Sequence, residues 1–275
     1  MREKPIGVFD SGLGGLTAVR QLRALLPGED IVYFGDTGRV PYGSRGRDII
    51  TAYAAQDIAF LLSCGVKTIL AACGTVSSTF PQSRADALPV SYTGVVAPAA
   101  AAAAAATKNG RVGILGTQAT IASGSYQAAL AGIAPGIATV AAACPLFVPL
   151  VENGHFAKGD TMAALAAEEY LAPVRAAGVD TLILGCTHYP LLADTIAAYM
   201  GPDVALIDSG YTAAFALRDK LAAGGLLHPR ATGGTCRYFV SDDEVRFDHL
   251  AHVFLGKAAE GEVRRINIEE YTLAP

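Results

Sequence analysis

The chain has 275 residues, 52% of them hydrophobic, enough to bury a large core in one large domain or two smaller ones. Only 17% are charged and the net charge is −4, which leaves no basic footprint for nucleic acid. No stretch offers about 18 or more strongly apolar residues, and the first apolar run is too short for a signal peptide, so the expectation is a soluble cytoplasmic protein with no membrane partner.

In chain order, IGVFD (6–10) reads as a strand, and the pattern GLTAVRQLRALL (15–26) as a helix. DIVYFGD (30–36), KTILAAC (67–73) and VSYTGVV (90–96) read as further strands, with a helix over GRDIITAYAAQDIAFLLSCG (46–65). Pro98 ahead of eight alanines (99–106) marks a helix start, since proline suits the first turn and alanine is the best helix former. RVGILGT (111–117), DTLILGC (180–186) and VALIDSG (204–210) are strands again, and TMAALAAEEYLAPVRAAG (161–178) is a helix. These strands lack polar alternation, so both their faces are buried. Such runs alternating with helices predict an α/β fold built on mainly parallel sheet flanked by helices.

A pattern recurs in the two halves. GVKTILAAC and GVDTLILGC each place a cysteine, Cys73 and Cys186, eight residues after a glycine. IGVFDS and VGILGT each end a strand on a hydroxyl residue, Ser11 and Thr117. Ligands of open α/β sheets bind beyond the carboxyl ends of strands, so two facing halves would bring both thiols to one cleft.

Five cysteines without a CxxC pair support neither a disulfide framework nor a zinc site. Cys64, Cys144 and Cys236 read as small buried hydrophobes. SGLGG lacks a third dinucleotide-binding glycine, Thr17 standing in its place, and no His/Cys cluster completes a metal site around Cys186 and His188.

Two thiols at strand ends, each before a helix start, suit proton transfer. Backbone N–H groups there favour a charged sulfur and can hold a carboxylate, while Ser11, Thr75, Thr117 and Thr187 add hydroxyl donors. A racemase must take a proton from one face of a carbon and return one to the other, which two like acid/base groups accomplish.

The segments IGVFDSGLGG, YFGDTGRVPYGSR, ACGTVSS, CPLFVPLVE, LGCTHYPLL and LIDSG, in order from residue 6 to 210, resemble the cofactor-independent glutamate racemases of the aspartate/glutamate racemase superfamily. The resemblance implies interconversion of L- and D-glutamate without pyridoxal phosphate, metal or nucleotide, supplying D-glutamate for peptidoglycan. It implies two pseudo-symmetric α/β domains, 1–97 with 208–275 and 98–207, the active site lying in the cleft between them. A homodimer is the family's common assembly.

By the same resemblance Cys73 and Cys186 are the two acid/base residues. Asp10 assists Cys73, His188 assists Cys186, and Glu152 is a helper near the second cysteine. Asp10, Ser11, Tyr42, Gly43, Gly74, Thr75, Cys186 and Thr187 match positions that bind the amino acid, and Thr117 and Thr120 complete the pocket. Two positions depart from the family pattern: Gly74 stands where Asn is usual, and Ala97 where Glu is usual. Plainer readings stand beside these roles, with Asp10 as a helix cap, His188 as a core or capping residue, and Tyr42 packed in a PYG turn. The competing functions are a racemase for aspartate or another amino acid, a hydrolase using one cysteine with histidine, and a carboxylate-binding protein without turnover.

Overall fold

A computed structural model describes residues 1–256 and 261–273, apart from the side chains of Arg246 and His249. The chain runs β1 (Ile6–Asp10), α1 (Leu16–Leu25), β2 (Ile31–Gly35), α2 (Arg47–Ser63), β3 (Thr68–Ala71), α3 (Gly74–Thr79), α4 (Gln82–Asp86) and β4 (Ser91–Gly94). It continues as α5 (Val96–Ala106), β5 (Arg111–Gly116), α6 (Gln118–Ser123), α7 (Ser125–Ile133), β6 (Ala138–Ala143), α8 (Phe147–Glu152), α9 (Thr161–Ala176), β7 (Thr181–Leu184), α10 (Ala193–Met200) and β8 (Ala205–Asp208). The last stretch holds α11 (Ser209–Ala223), β9 (Cys236–Val240), α12 (Glu244–Leu255) and β10 (Val263–Arg265).

The strands form two parallel sheets, ordered β10-β9-β2-β1-β3-β4 and β6-β5-β7-β8. Every segment read as a strand is one. Most end a residue or two earlier than expected; β4 stops at Gly94 because Val96 already opens α5, with Pro98 in its first turn. Strand β8 stops at Asp208, whose carboxylate accepts from the N–H of Gly210 at 2.8 Å and Tyr211 at 3.0 Å and so caps α11.

Successive strand residues point to opposite faces. Ile6 and Val8 of β1 enter a core that also takes Leu115 of β5 and Leu182 and Leu184 of β7, so one apolar core joins the two sheets. The intervening Phe9 faces a second core with Ile50, Ile58 and Leu61 of α2, and Ile114 and Ile183 face a third beneath α5 and α7.

The repeated Gly-Val segment has one geometry in both halves. Gly65 (φ 71°) and Gly178 (φ 65°) turn the chain out of α2 and α9 in the left-handed region that glycine tolerates. Val66 and Val179 are buried next, and β3 and β7 then run beside the central strands β1 and β5. Phe9 pairs with Ala71 and Leu115 with Leu184. Two residues beyond these pairs come Ser11 and Cys73 in one sheet, Thr117 and Cys186 in the other. In each sheet the chain leaves the central strand for a neighbour on one side (β2 or β6) and then crosses to the other side (β3 or β7). That reversal of strand order is the switch point where ligands bind.

Candidate active site

The carboxyl ends of β1, β3, β5 and β7 converge on one cavity of about 410 Å3. Ser11, Tyr42, Gly43, Cys73, Gly74 and Thr75 line it from one side, and Thr117, Glu152, Cys186, Thr187 and His188 from the other. Two predicted residues stand one step back. Asp10 and Thr120 are each 1% exposed and reach the cavity through neighbours. The Asp10 carboxylate accepts from Gly12 N–H at 2.9 Å and from the Thr187 hydroxyl at 3.5 Å. Thr120 shares a hydroxyl contact of 3.0 Å with Thr117. Of the two unusual positions, Ala97 is exposed in the first turn of α5 and is not part of the lining.

Each sulfur has its own polar partner. The Cys73 thiol donates to Ser11 Oγ at 3.5 Å, and Cys73 itself is the N-cap residue of α3. Burial, reinforced by the charge of Asp10, pushes the Cys73 pKa up to about 12, the Ser11 hydroxyl opposing. Cys186 lies 4.0 Å from His188 Nδ1, and His188 Nε2 lies 3.1 Å from Glu152 Oε1. Burial disfavours a charged imidazole, but hydrogen bonds to Cys186 and Glu152 and their charges outweigh it, raising the His188 pKa to about 10. A cation thus faces Cys186 while an acid sits behind Cys73. Burial raises Asp10 as well, against the field of His188 and the N–H groups of Gly12 and Gly15.

The two sides of the cavity touch directly. Thr75 and Thr117 share a hydroxyl contact of 2.9 Å, and Ala119 N–H donates to Gly43 O at 2.9 Å. The Thr17 hydroxyl reaches Thr187 O at 3.4 Å. His188 is held on three sides: Gly14 lies against its ring, Glu152 is bonded to it, and Phe254 of α12 meets it edge-on at 5.2 Å. A capping role for Asp10 on α1 is not what the geometry offers, since the N-cap there is Gly15 with no side-chain bond.

Two features went unread in the sequence. Cys144 is buried as expected, yet it also lines the cavity, and its thiol pKa is raised by burial and then by the charge of Cys186. It follows β6, an Ala-rich strand (ATVAAA) that no β-branched run announces; once β6 is recognised, Cys144 is a third cysteine at a strand end. Tyr42 lines the cavity, but its hydroxyl turns inward to Asp36 and Asp57. Among the described residues no three His, Cys, Asp or Glu side chains are grouped to hold a metal ion.

Residues 17–217 match the model of the Asp/Glu/Hydantoin racemase family. A glutamate racemase from Geobacter metallireducens is 42% identical over 266 residues, 97% of each chain. A glutamate racemase from Thermus thermophilus, solved with β-chloro-D-alanine, is 44% identical with a TM-score of 0.88, covering 98% of this chain and 99% of that one. One from Francisella tularensis, solved with D-glutamate, is 34% identical with a TM-score of 0.91, covering 98% of this chain and all of that one (100%).

Proposed function

Because the chain belongs to the Asp/Glu/Hydantoin racemase family, over most of its length by the family model and nearly end to end by its glutamate racemase relatives, we propose that it interconverts L- and D-glutamate by passing the α-proton between Cys73 and Cys186. The observation that carries this reading is one cavity lined by both thiols, delivered by equivalent strands of two parallel sheets. Its volume of about 410 Å3 lies within the range of about 300–1,000 Å3 usual for small-molecule sites.

In the mechanism, one sulfur as thiolate takes the α-proton: the Cα–H bond breaks and an S–H bond forms. The other sulfur, as thiol, gives its proton to the opposite face, so its S–H bond breaks and a new Cα–H bond forms. The negative charge has moved from one sulfur to the other and the configuration is inverted. His188 stands where its positive charge can meet the sulfur of Cys186 whenever that sulfur carries the negative charge, and the raised pKa of Cys73 keeps that group a thiol at rest. Glu152 steadies His188, Asp10 acts beside Cys73, and hydroxyl and N–H groups of Ser11, Gly43, Gly74, Thr75, Thr117 and Thr187 bind the amino acid, with Thr120 supporting Thr117.

The division into residues 1–97 with 208–275 and 98–207 belongs to the same reading. It is supported by β1–β4, β9 and β10 sharing one sheet and β5–β8 the other. D-Glutamate made here feeds peptidoglycan in the cytoplasm, the enzyme acting as a homodimer; sedimentation analysis tests the dimer. No helix among the described residues is long and apolar enough to cross a membrane.

Solvent deuterium is expected at Cα during turnover of either enantiomer, and Cys73→Ala and Cys186→Ala are each expected to abolish racemisation followed by circular dichroism. Either variant racemising at the rate of the unaltered protein would sink the reading.

A further inference from the structure

Tyr42 connects the cavity wall to a polar cluster between β2, α2 and β9, whose two aspartates are buried and whose Arg39 is partly exposed. Asp36 and Asp57 are each 0% exposed and share one guanidinium, that of Arg39. Arg39 Nε donates to Asp36 Oδ2 at 2.6 Å and Nη2 to Asp57 Oδ1 at 3.2 Å, with Nη1 on Gln56 Oε1 at 2.5 Å. The Ser241 hydroxyl donates to Asp36 Oδ1 at 2.7 Å. The Tyr42 oxygen makes a short contact with Asp36 and lies 3.2 Å from Asp57 Oδ2.

Counting protons assigns the state of this cluster. Tyr42 has one O–H, and its nearer partner is Asp36. Asp36 then accepts from three donors, the pattern of a carboxylate. With that proton spent, Asp57 Oδ2 and the Tyr42 oxygen would be two acceptors facing each other unless Asp57 carries a proton. A neutral Asp57 completes a one-way chain, Asp57 O–H to Tyr42 O–H to Asp36. It also balances the buried cluster at one guanidinium and one carboxylate, whereas two carboxylates would leave an uncompensated charge. The groups facing Asp57 agree: burial and then the charge of Asp36 push its pKa well above the usual carboxylate range, with Asp10 adding and Arg39 and Tyr42 opposing.

We propose that Asp57, as a neutral acid, is a positioning residue that fixes the Tyr42 hydroxyl and so holds the 40–44 turn as one wall of the substrate cavity. That turn carries Gly43, whose carbonyl accepts from Ala119 across the cavity, so its placement bears on how the two sides meet. The role in substrate binding rests on the proposed racemisation; the protonation state does not.

The test compares Asp57→Asn with Asp57→Ala. The side-chain amide introduced by D57N would donate to Tyr42 and accept from Arg39 as the neutral acid does, so this variant is expected to keep KM and kcat for glutamate within about threefold of the unaltered protein. D57A removes the donor and is expected to raise KM about tenfold or more, with kcat within about threefold, because the wall shifts while the thiols stay. Infrared difference spectra of the unaltered protein against D57N, at neutral pH, should show a protonated carboxyl band lost in the variant. A carboxylate band there, D57N as damaging as D57A, or an unchanged KM in D57A overturns the assignment. Should D57A fail to fold, the infrared comparison decides alone, and it does so even if no racemisation is found.

Discussion

Gly14 and Gly74 are two of the places where the two sides of the cavity come too close for a side chain. A Cβ at Gly14 would lie 2.1 Å from Thr187 Oγ1 and 2.6 Å from His188 Nδ1, and one at Gly74 would lie 2.1 Å from Gly185 O. At Gly74 the chain beside Cys73 rests against the backbone just before Cys186, so a side chain here would force one of the two to shift. Gly14→Ala is expected to push His188 away from Cys186 and lower kcat/KM by about 10–100-fold, the penalty of a misplaced catalytic group. The loss should be equal for both enantiomers, because mirror-image substrates fix the equilibrium constant at one. Steady-state kinetics in the two directions checks this, and an unaltered kcat/KM would show that the close approach does not matter. Neither glycine's role could be read from the sequence, since a glycine after a strand looks alike whether it faces solvent or a second sheet.

Among elements, the unit of helix, glycine, strand and cysteine was legible because each part has a local cause: the left-handed turn, the apolar run, and the end of the run. Strands β6, β9 and β10 were not. ATVAAA has the composition of a helix, CRYFV carries an arginine within it, and VRR is three residues long. These are strands because a neighbouring strand offers hydrogen bonds, which local propensity does not record. The start of β7 is tied to the turn after α5 through Asp180. Its carboxylate accepts from Thr107 Oγ1 at 2.6 Å, Lys108 N–H at 2.7 Å, Asn109 N–H at 2.6 Å and Thr181 Oγ1 at 3.0 Å. Burial opposes ionisation, but these donors outweigh it and hold the pKa at about 2, below the ordinary 3.8. The stabilisation is thus complete above the ordinary value and fades as pH falls through about 2. Asp180→Asn is expected to melt lower than the unaltered protein at about pH 5, with the gap closing toward about pH 2 in thermal scans.

For the whole molecule, the N-terminus, β3 and the stretch after α11 meet at one buried ion pair. Lys67 Nζ, 0% exposed at the side chain, donates to Glu29 Oε2 at 2.5 Å, Arg2 O at 2.7 Å and Leu226 O at 2.9 Å, while Glu29 Oε1 accepts from His228 N–H at 2.7 Å. Lys67 precedes β3, at the opposite end of the sheet from Cys73. Removing one partner leaves the other charge buried and unpaired. Lys67→Ala is therefore expected to lose about 3–5 kcal/mol in urea unfolding while kcat/KM of the folded protein stays unchanged. A loss of activity without a loss of stability would contradict this placement.

The amino-acid sequence by itself determined the strand-and-helix alternation, the duplicated cysteine positions and the family, because apolar periods, glycine turns and ordered motifs are local properties of a chain. Tertiary structure alone decided what surrounds each thiol. Glu152 reaches His188 from 36 residues away, Phe254 and Gly14 confine the same ring, Cys144 enters the cavity, and the Tyr42 hydroxyl turns to Asp57. Gly14 and Phe254 reach His188 across the two halves, while Glu152 and Asp57 meet their partners within one half; in every case the energy depends on a distance between residues far apart in the chain, which no stretch of sequence carries.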